Sequence, residues 1–164
     1  MGAHVLIADN ITLANQPVTL AFVNPPTSGL KEIEILRVEI GYNGGTTAGQ
    51  VRLQLVTQAS AYPTLVSVDP AKLDLGGADS LISGNTTGAA GTCGINASAE
   101  GAGTKTVRYT AAFNRPTGYL WVPTLDDRII LPVNAGEGFG VYLPAAQTGV
   151  LSGWHCALIW KERF

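Results

Sequence analysis

The sequence predicts an all-β protein: a two-sheet antiparallel β-sandwich of jelly-roll or Greek-key type with about eight strands. Short apolar runs rich in β-branched and aromatic residues recur along the chain, separated by proline, glycine, asparagine or aspartate. Within several runs apolar and polar side chains alternate, which is the period of a strand with one buried face. Long connections at irregular spacing favour strands that cross between two sheets over a simple meander.

The clearest series of strands lies between Gly118 and Glu162. No helix of ordinary length fits between its turn residues, which include Pro123, Pro132 and Pro144. The strands predicted here are 119–122, 128–131, 138–143 and 154–160.

The first half of the chain gives further strands at 4–8, 17–24 and 31–43. In 31–43 the apolar positions change phase after Ile35, so a β-bulge near Ile35 is needed to keep one continuous buried face. That face would hold Ile33 and Ile35 before the bulge, and the second set comprises Leu36, Val38, Ile40 and Tyr42.

Two further alternating segments are 50–57 and 106–113. Because the residues 43–49 are rich in glycine and threonine, 31–43 and 50–57 are expected to pair as an antiparallel hairpin.

We interpret the chain as a single jelly-roll domain over 17–164, preceded by an N-terminal arm or short edge strand at 1–16. A Gly/Ala/Thr-rich stretch at about 76–104 shows no periodicity and is expected to be a long loop. Loops of that length in a compact domain are usually functional or flexible, so it is a candidate contact surface.

Composition limits the classes of partner. A chain of 164 residues suits one domain, its formal net charge is −2, and only 13% of its residues are charged. No Lys/Arg cluster suits a phosphate backbone, so direct nucleic-acid binding is not expected. Neither a secretory leader nor an apolar run long enough to span a bilayer occurs, which favours a soluble protein made in a cytoplasm. So few charges indicate that part of the surface faces another protein.

The residues that usually perform catalysis are sparse. Cys93 and Cys156 lack metal-site spacing and are expected to be free thiols, with Cys156 packed as a small apolar side chain. His4 and His155 are the two histidines, and a Cys93/His155 pair has no recognisable third member.

Acidic and glycine-rich motifs are better explained as turns. Asp126 and Asp127 are expected to cap the turn before Ile129, because the dense acidic loop of a calcium site is absent. GGADSLISG and GEGFG lack the order of a phosphate-binding loop. We therefore expect no catalytic site, no metal, no cofactor and no enzymatic activity.

The three tryptophans allow two interpretations. Trp121, Trp154 and Trp160 could form a platform on which sugars stack. However, in a strand Trp154 and Trp160 share a face with Cys156 and Leu158, which favours packing in the core or in a subunit interface.

The order of these segments resembles the jelly-roll capsid decoration, or cement, proteins of tailed bacteriophages. The resemblance covers residues 30–162 and rests on KEIEILRVEIGYNGGTTAGQVRLQLVTQ, the PAKLD segment, the Gly/Ala/Thr loop, GYLWVPTLDDRIILPVNAGEGFGVYLP and SGWHCALIWKE. It implies a homotrimer on the outer surface of the virion, bound to the lattice of the major capsid protein at local three-fold positions. In this chain 1–16 would be the arm and 78–103 the loop that grips neighbouring subunits.

The candidate interface residues combine this resemblance with the tryptophan interpretation. They are Ile7, Ile11, Leu13, Asn85, Ile95, Trp121, Trp154 and Trp160.

Other functions remain open because a jelly roll does not determine function. A carbohydrate- or receptor-binding module, such as a fibre head or lectin-like domain, is the main alternative. An exposed Trp121 or Tyr119 beside Asp126 and Asn134 would favour it. A cupin-like enzyme would need a His/Glu metal cluster that two distant histidines do not supply.

Overall fold

The computed structural model describes residues 2–134 and 136–164, which form strands, turns and one short 3₁₀ turn at Arg115–Thr117. No α-helix occurs in these ranges. The strands are β1 Ala3–Thr12, β2 Val18–Asn24, β3 Glu32–Tyr42, β4 Gln50–Ala59, β5 Thr64–Ser67, β6 Ala71–Lys72, β7 Ser83–Gly84, β8 Thr92–Ala99, β9 Lys105–Asn114, β10 Tyr119–Trp121, β11 Ile129–Pro132, β12 Glu137–Leu143 and β13 Ser152–Arg163.

The strands form two sheets that pack as a sandwich, as predicted. Sheet A has the order β10-β3-β13-β1-β6, with β11 also paired to β3. Sheet B has the order β5-β8-β2-β12-β4-β9, with β7 beside β8. Every pair is antiparallel except the two-residue contact of β7 with β8.

The strand order is that of a jelly roll. In sheet A, β1 lies beside β13, then β3, then β10 and β11; in sheet B, β2 lies beside β12, then β4, then β9. This order results when one long antiparallel hairpin is wrapped around a sandwich. The chain between β4 and β9 adds β5, β7 and β8 to the far side of β2.

The predicted count of about eight strands is too low, because the described residues form thirteen. The additional strands are short: β5, β6, β7, β10 and β11 have two to four residues each. Runs that short show too little alternation to be recognised in a sequence.

The predicted hairpin between 31–43 and 50–57 is wrong. β3 pairs with β13 in sheet A, and β4 pairs with β12 and β9 in sheet B. The connection is fastened to the start of β13, since the Asn43 amide donates to the Gly153 carbonyl at 2.8 Å. A Cβ on Gly44 would lie 2.5 Å from the Ser152 carbonyl oxygen, so the glycine permits this close approach.

The predicted bulge near Ile35 is confirmed. Along β13, Ile159 lies opposite Arg37 but the next residue, Trp160, lies opposite Ile35, which leaves Leu36 as the extra residue. Ile33 and Ile35 before it, and Val38 and Ile40 after it, are all buried, whereas Leu36 is half-buried.

Large aromatic side chains fill the core between the sheets. Trp154, Cys156, Leu158 and Trp160 alternate along β13, and all four are buried. The Trp154 indole donates to the Val150 carbonyl at 2.7 Å, so its polar atom is satisfied as well. The prediction that these residues share one face is confirmed, and that face is the core.

The segment 76–104 is not one long loop as predicted, because Thr92–Ala99 forms β8 and pairs with β2. Its small residues permit close packing: a Cβ on Gly94 would lie 2.7 Å from the Cβ of Leu65. The lack of alternation that indicated a loop therefore comes from tight packing between neighbouring strands.

The N-terminal segment 1–16 contributes the ten-residue strand β1. It pairs with β13 from Ala3 to Thr12, whereas β6 covers its other edge only at His4 and Val5. Met1 lies outside the described residues.

Candidate interaction surface

Most of the predicted interface residues belong to the core of this chain. Trp154 and Trp160 are fully buried, and Leu13, Ile95 and Trp121 are almost so. Because the fold already covers these side chains, they offer a partner little surface, although Trp121 lines a groove described below. Their role at an interface stays a prediction, and within this chain they pack in the core.

The remaining three candidates do not form one site. Ile7 is 52% exposed on the outer face of sheet A. Ile11 is half-buried against the core. Asn85 is exposed on the sheet B side, where its side-chain oxygen accepts a hydrogen bond from the Thr87 amide at 3.1 Å. Only Ile7 lies on a broad open face.

The outer face of sheet A is a four-strand surface whose side chains follow from the register. Ile7, Ala157, Glu39 and Leu120 lie opposite one another in a row across β1, β13, β3 and β10. Towards one end of the face, Ile130 of β11 lies opposite Glu34. We call Ile7, Leu120 and Ile130, with the small and charged residues between them, the sheet A face.

The sheet A face is open and mixed in character. Leu120 is 57% exposed and Ile130 is 39% exposed. Ala157 and Gly41 leave a shallow depression in its middle, and Arg37 pairs with Glu39 at its surface. Isolated exposed apolar residues need no explanation, but several on one flat sheet face are typical of a contact surface.

The outer face of sheet B, by contrast, is partly covered by the chain itself. Phe22 lies over Gly138 and Gly140, and the ring of Tyr62 packs against it with centroids 5.9 Å apart. Glu100 accepts hydrogen bonds from the Thr19 amide at 2.5 Å and from its hydroxyl at 2.6 Å. The connection between β4 and β9 thus covers the part of sheet B around β2 and β12, whereas Ile7, Leu120 and Ile130 remain exposed on the sheet A face.

Sequence reasoning missed Leu120 and Ile130. A signal for Leu120 was available: in β10 it stands between Tyr119 and Trp121, which point inward, so period two places it outside. The placement of Ile7 and Leu120 in one row could not be foreseen, because it depends on which strands are neighbours.

A second feature is an open groove at the other side of β10, where the edges of the two sheets approach each other. It has a volume of about 440 Å³ and runs from β9 to the turn between β10 and β11. Tyr109 and Trp121 form its wall, with ring centroids 6.2 Å apart, and Asp126 and Arg128 lie at its rim. The prediction that 126–127 forms a turn is confirmed: the Asp127 amide donates to the Thr124 carbonyl at 3.2 Å.

The two thiols and His155 are occupied by other contacts. Both cysteines are free and buried, as expected. Burial, followed by the nearby charges of Asp69 and Glu162, raises the pKa of Cys93 to about 12, and burial likewise raises the pKa of Cys156. Cys93 contacts the Val68 carbonyl at 3.3 Å, whereas His155 contacts Asp9 at 2.5 Å, so the two do not form a pair.

No group of three or more His, Cys, Asp or Glu residues suited to a metal ion occurs within 2–134 and 136–164. In the same ranges no helix is long and apolar enough to cross a membrane. Comparison with protein-family models, curated proteins and solved structures finds no match to this chain.

Proposed function

We propose that this chain is a structural virion protein that binds and stabilises the outer surface of an assembled phage capsid as a homotrimer. Its partners are further copies of itself and the lattice of the major capsid protein. It is synthesised in the host cytoplasm and resides on the outer surface of the virion.

The observation that carries this proposal is the open sheet A face. A sandwich that partly covers one of its outer faces with its own chain and leaves the other open presents one flat side. Exposed Ile7 and Leu120 supply apolar contact area, and the small Ala157 between them lets a partner approach closely.

Low charge supports the same function. Because only 13% of the residues are charged, burial of a large face removes few unpaired charges from water, and the desolvation free energy that opposes burial is small. The charges of Arg37 and Glu39, which lie on β3 at this face, are paired with each other. A protein of this composition can bury a large surface against another protein, and this role needs no catalytic pocket.

The test replaces two exposed apolar side chains by charged ones. Ile7→Lys/Leu120→Lys places two lysines on the sheet A face, and binding to expanded capsids of its own virus should weaken at least tenfold. Both side chains are more than half exposed, so the free energy of unfolding should change by less than about 0.5 kcal/mol each. Co-sedimentation with capsids measures binding, and urea unfolding measures stability.

Val66→Lys is the matched control, because Val66 is 51% exposed on β5 in the other sheet. It should bind capsids like the parent protein. Light scattering during gel filtration should give the mass of a trimer. A monomeric parent that does not bind capsids would overturn the proposal.

A further inference from the structure

The groove between β9 and the turn 122–128 has the properties of a built binding site. The Tyr109 hydroxyl hydrogen-bonds to the Tyr119 hydroxyl at 2.7 Å, and its ring packs against Trp121. The Tyr109 side chain is nevertheless 38% exposed. An aromatic ring that is held on one side and open on the other is a fixed apolar platform.

Two arginines in the groove are oriented by the chain. Arg108 donates through Nε to the Thr57 hydroxyl at 3.0 Å and through one terminal nitrogen to Glu137 at 3.2 Å. Arg128 donates through Nε to the Leu125 carbonyl at 3.1 Å and through one terminal nitrogen to Glu34 at 2.7 Å. Each guanidinium keeps a second terminal nitrogen that makes no hydrogen bond to the described residues, and these are fixed donors.

Acceptors lie at the same groove. Asp127 accepts from the Thr124 hydroxyl through one carboxylate oxygen at 2.8 Å. Asp126 is exposed, and its side chain makes no hydrogen bond within the described residues. Val122 and Pro123 add apolar surface beside these polar groups.

We propose that this groove binds a neutral saccharide. A sugar presents hydroxyl groups that both donate and accept, and a face of C–H groups that packs on an aromatic ring. The groove supplies donors, acceptors and a ring within about 440 Å³, in the size range of small-ligand sites.

The charges of the groove favour a neutral ligand over an ion. Among the residues that line the groove, Asp126 and Asp127 balance Arg108 and Arg128, so the net charge attracts no anion, and a phosphate would meet two carboxylates. A cation would meet two fixed guanidinium groups. A neutral ligand that is rich in hydroxyl groups can accept from the guanidinium groups and donate to the carboxylates.

The experiment uses the whole protein and a printed array of neutral bacterial and mammalian glycans, displayed at high density. At least one glycan should be retained, and titration of that glycan should change tryptophan emission. Trp121 is the reporter, because it lines the groove whereas Trp154 and Trp160 are enclosed in the core.

Asp126→Asn removes a charged acceptor, and Tyr109→Ala removes the aromatic platform. Each should weaken glycan binding about tenfold or more. Glu39→Gln, an exposed carboxylate outside the groove, is the matched control and should bind normally. Asp126 makes no contact that folding needs, so its variant keeps the test valid if Tyr109→Ala is unstable. Folded protein that retains no glycan, or binding unaffected by Asp126→Asn, would overturn the inference without bearing on capsid binding.

Discussion

Glu34 shows how one side chain can join three parts of this fold. It lies on β3, is only 4% exposed, and accepts hydrogen bonds from Arg128, just before β11, and from Arg163 at the end of β13. Burial alone would raise the pKa of this carboxyl. The hydrogen bonds and charges of the two arginines outweigh burial and hold the pKa of Glu34 below its usual range.

This depressed pKa predicts a pH-dependent contribution to stability. A carboxyl whose folded pKa is below its unfolded value stabilises the fold at pH values above the unfolded pKa, about 4.3, and loses that effect as the pH falls through the folded value. Glu34→Gln should therefore lower the free energy of unfolding by about 1–2 kcal/mol at pH 7. The difference from the parent protein should shrink below about pH 4. Urea unfolding of both proteins at a series of pH values measures this difference in the free energy of unfolding.

Glu39→Gln is the control, because Glu39 forms an exposed ion pair with Arg37 on the same strand. Pairs of that kind contribute about 0–1 kcal/mol. A Glu34→Gln effect that stayed constant from pH 7 to pH 3 would contradict the assignment.

At the scale of elements, local pattern predicts strands well and their partners poorly. The phase change in 31–43 predicted a bulge near Ile35, which the structure places at Leu36, because the alternation within a strand depends on the sequence of that strand alone. The pairing of β3 with β13 joins segments more than a hundred residues apart, and turn residues at 43–49 cannot reveal it. The sheet A face was missed for the same reason, since it exists only after four distant strands are assembled.

The connection between β4 and β9 shows a second limit of sequence reasoning. Its small residues predicted a long loop, yet it forms β8 and then returns over sheet B, where Glu100 binds Thr19 and contacts Lys105 at 3.3 Å. A single carboxylate thus fastens the end of this connection to β2. Nothing near Glu100 in the sequence indicates a partner eighty residues earlier.

Glu100→Ala should release this part of the connection without unfolding the sandwich. It removes two short hydrogen bonds to Thr19 and the ion pair with Lys105, and should cost about 2 kcal/mol of unfolding free energy. Hydrogen exchange of the amides in 59–63 and 100–104 should accelerate more than tenfold, because these two segments contact each other.

Amides of β3 and β13 should exchange at the parent rate in Glu100→Ala, after correction for global stability. Glu39→Ala, which breaks an exposed ion pair with Arg37 in sheet A, is the control and should leave exchange at 59–63 unchanged. Equal acceleration in both sheets would mean that Glu100 acts on the whole fold and does not hold one segment.

At the scale of the whole molecule, the jelly roll makes the two sheets depend on each other. Successive long strands alternate between the sheets from β1 to β4, so neither sheet is a continuous piece of chain. The inward side chains of both sheets form one cluster, which includes Cys93 from sheet B and Cys156 from sheet A. We therefore expect the two sheets to unfold together.

The two cysteines provide a test of this cooperativity, since each sheet contains one. Both thiols are buried, and the high pKa values of Cys93 and Cys156 keep them protonated, so a thiol reagent at pH 8 should react only after opening. The Cys156→Ala variant reports on Cys93, and the Cys93→Ala variant reports on Cys156. When the protein recloses faster than the reagent reacts, the labelling rate gives the free energy of opening at each site. Each value should equal the urea-derived free energy of unfolding of the same variant. If Cys93 reacted with a markedly lower opening free energy than Cys156, the β5–β8 side of sheet B would open independently, and the sandwich would be two cooperative units.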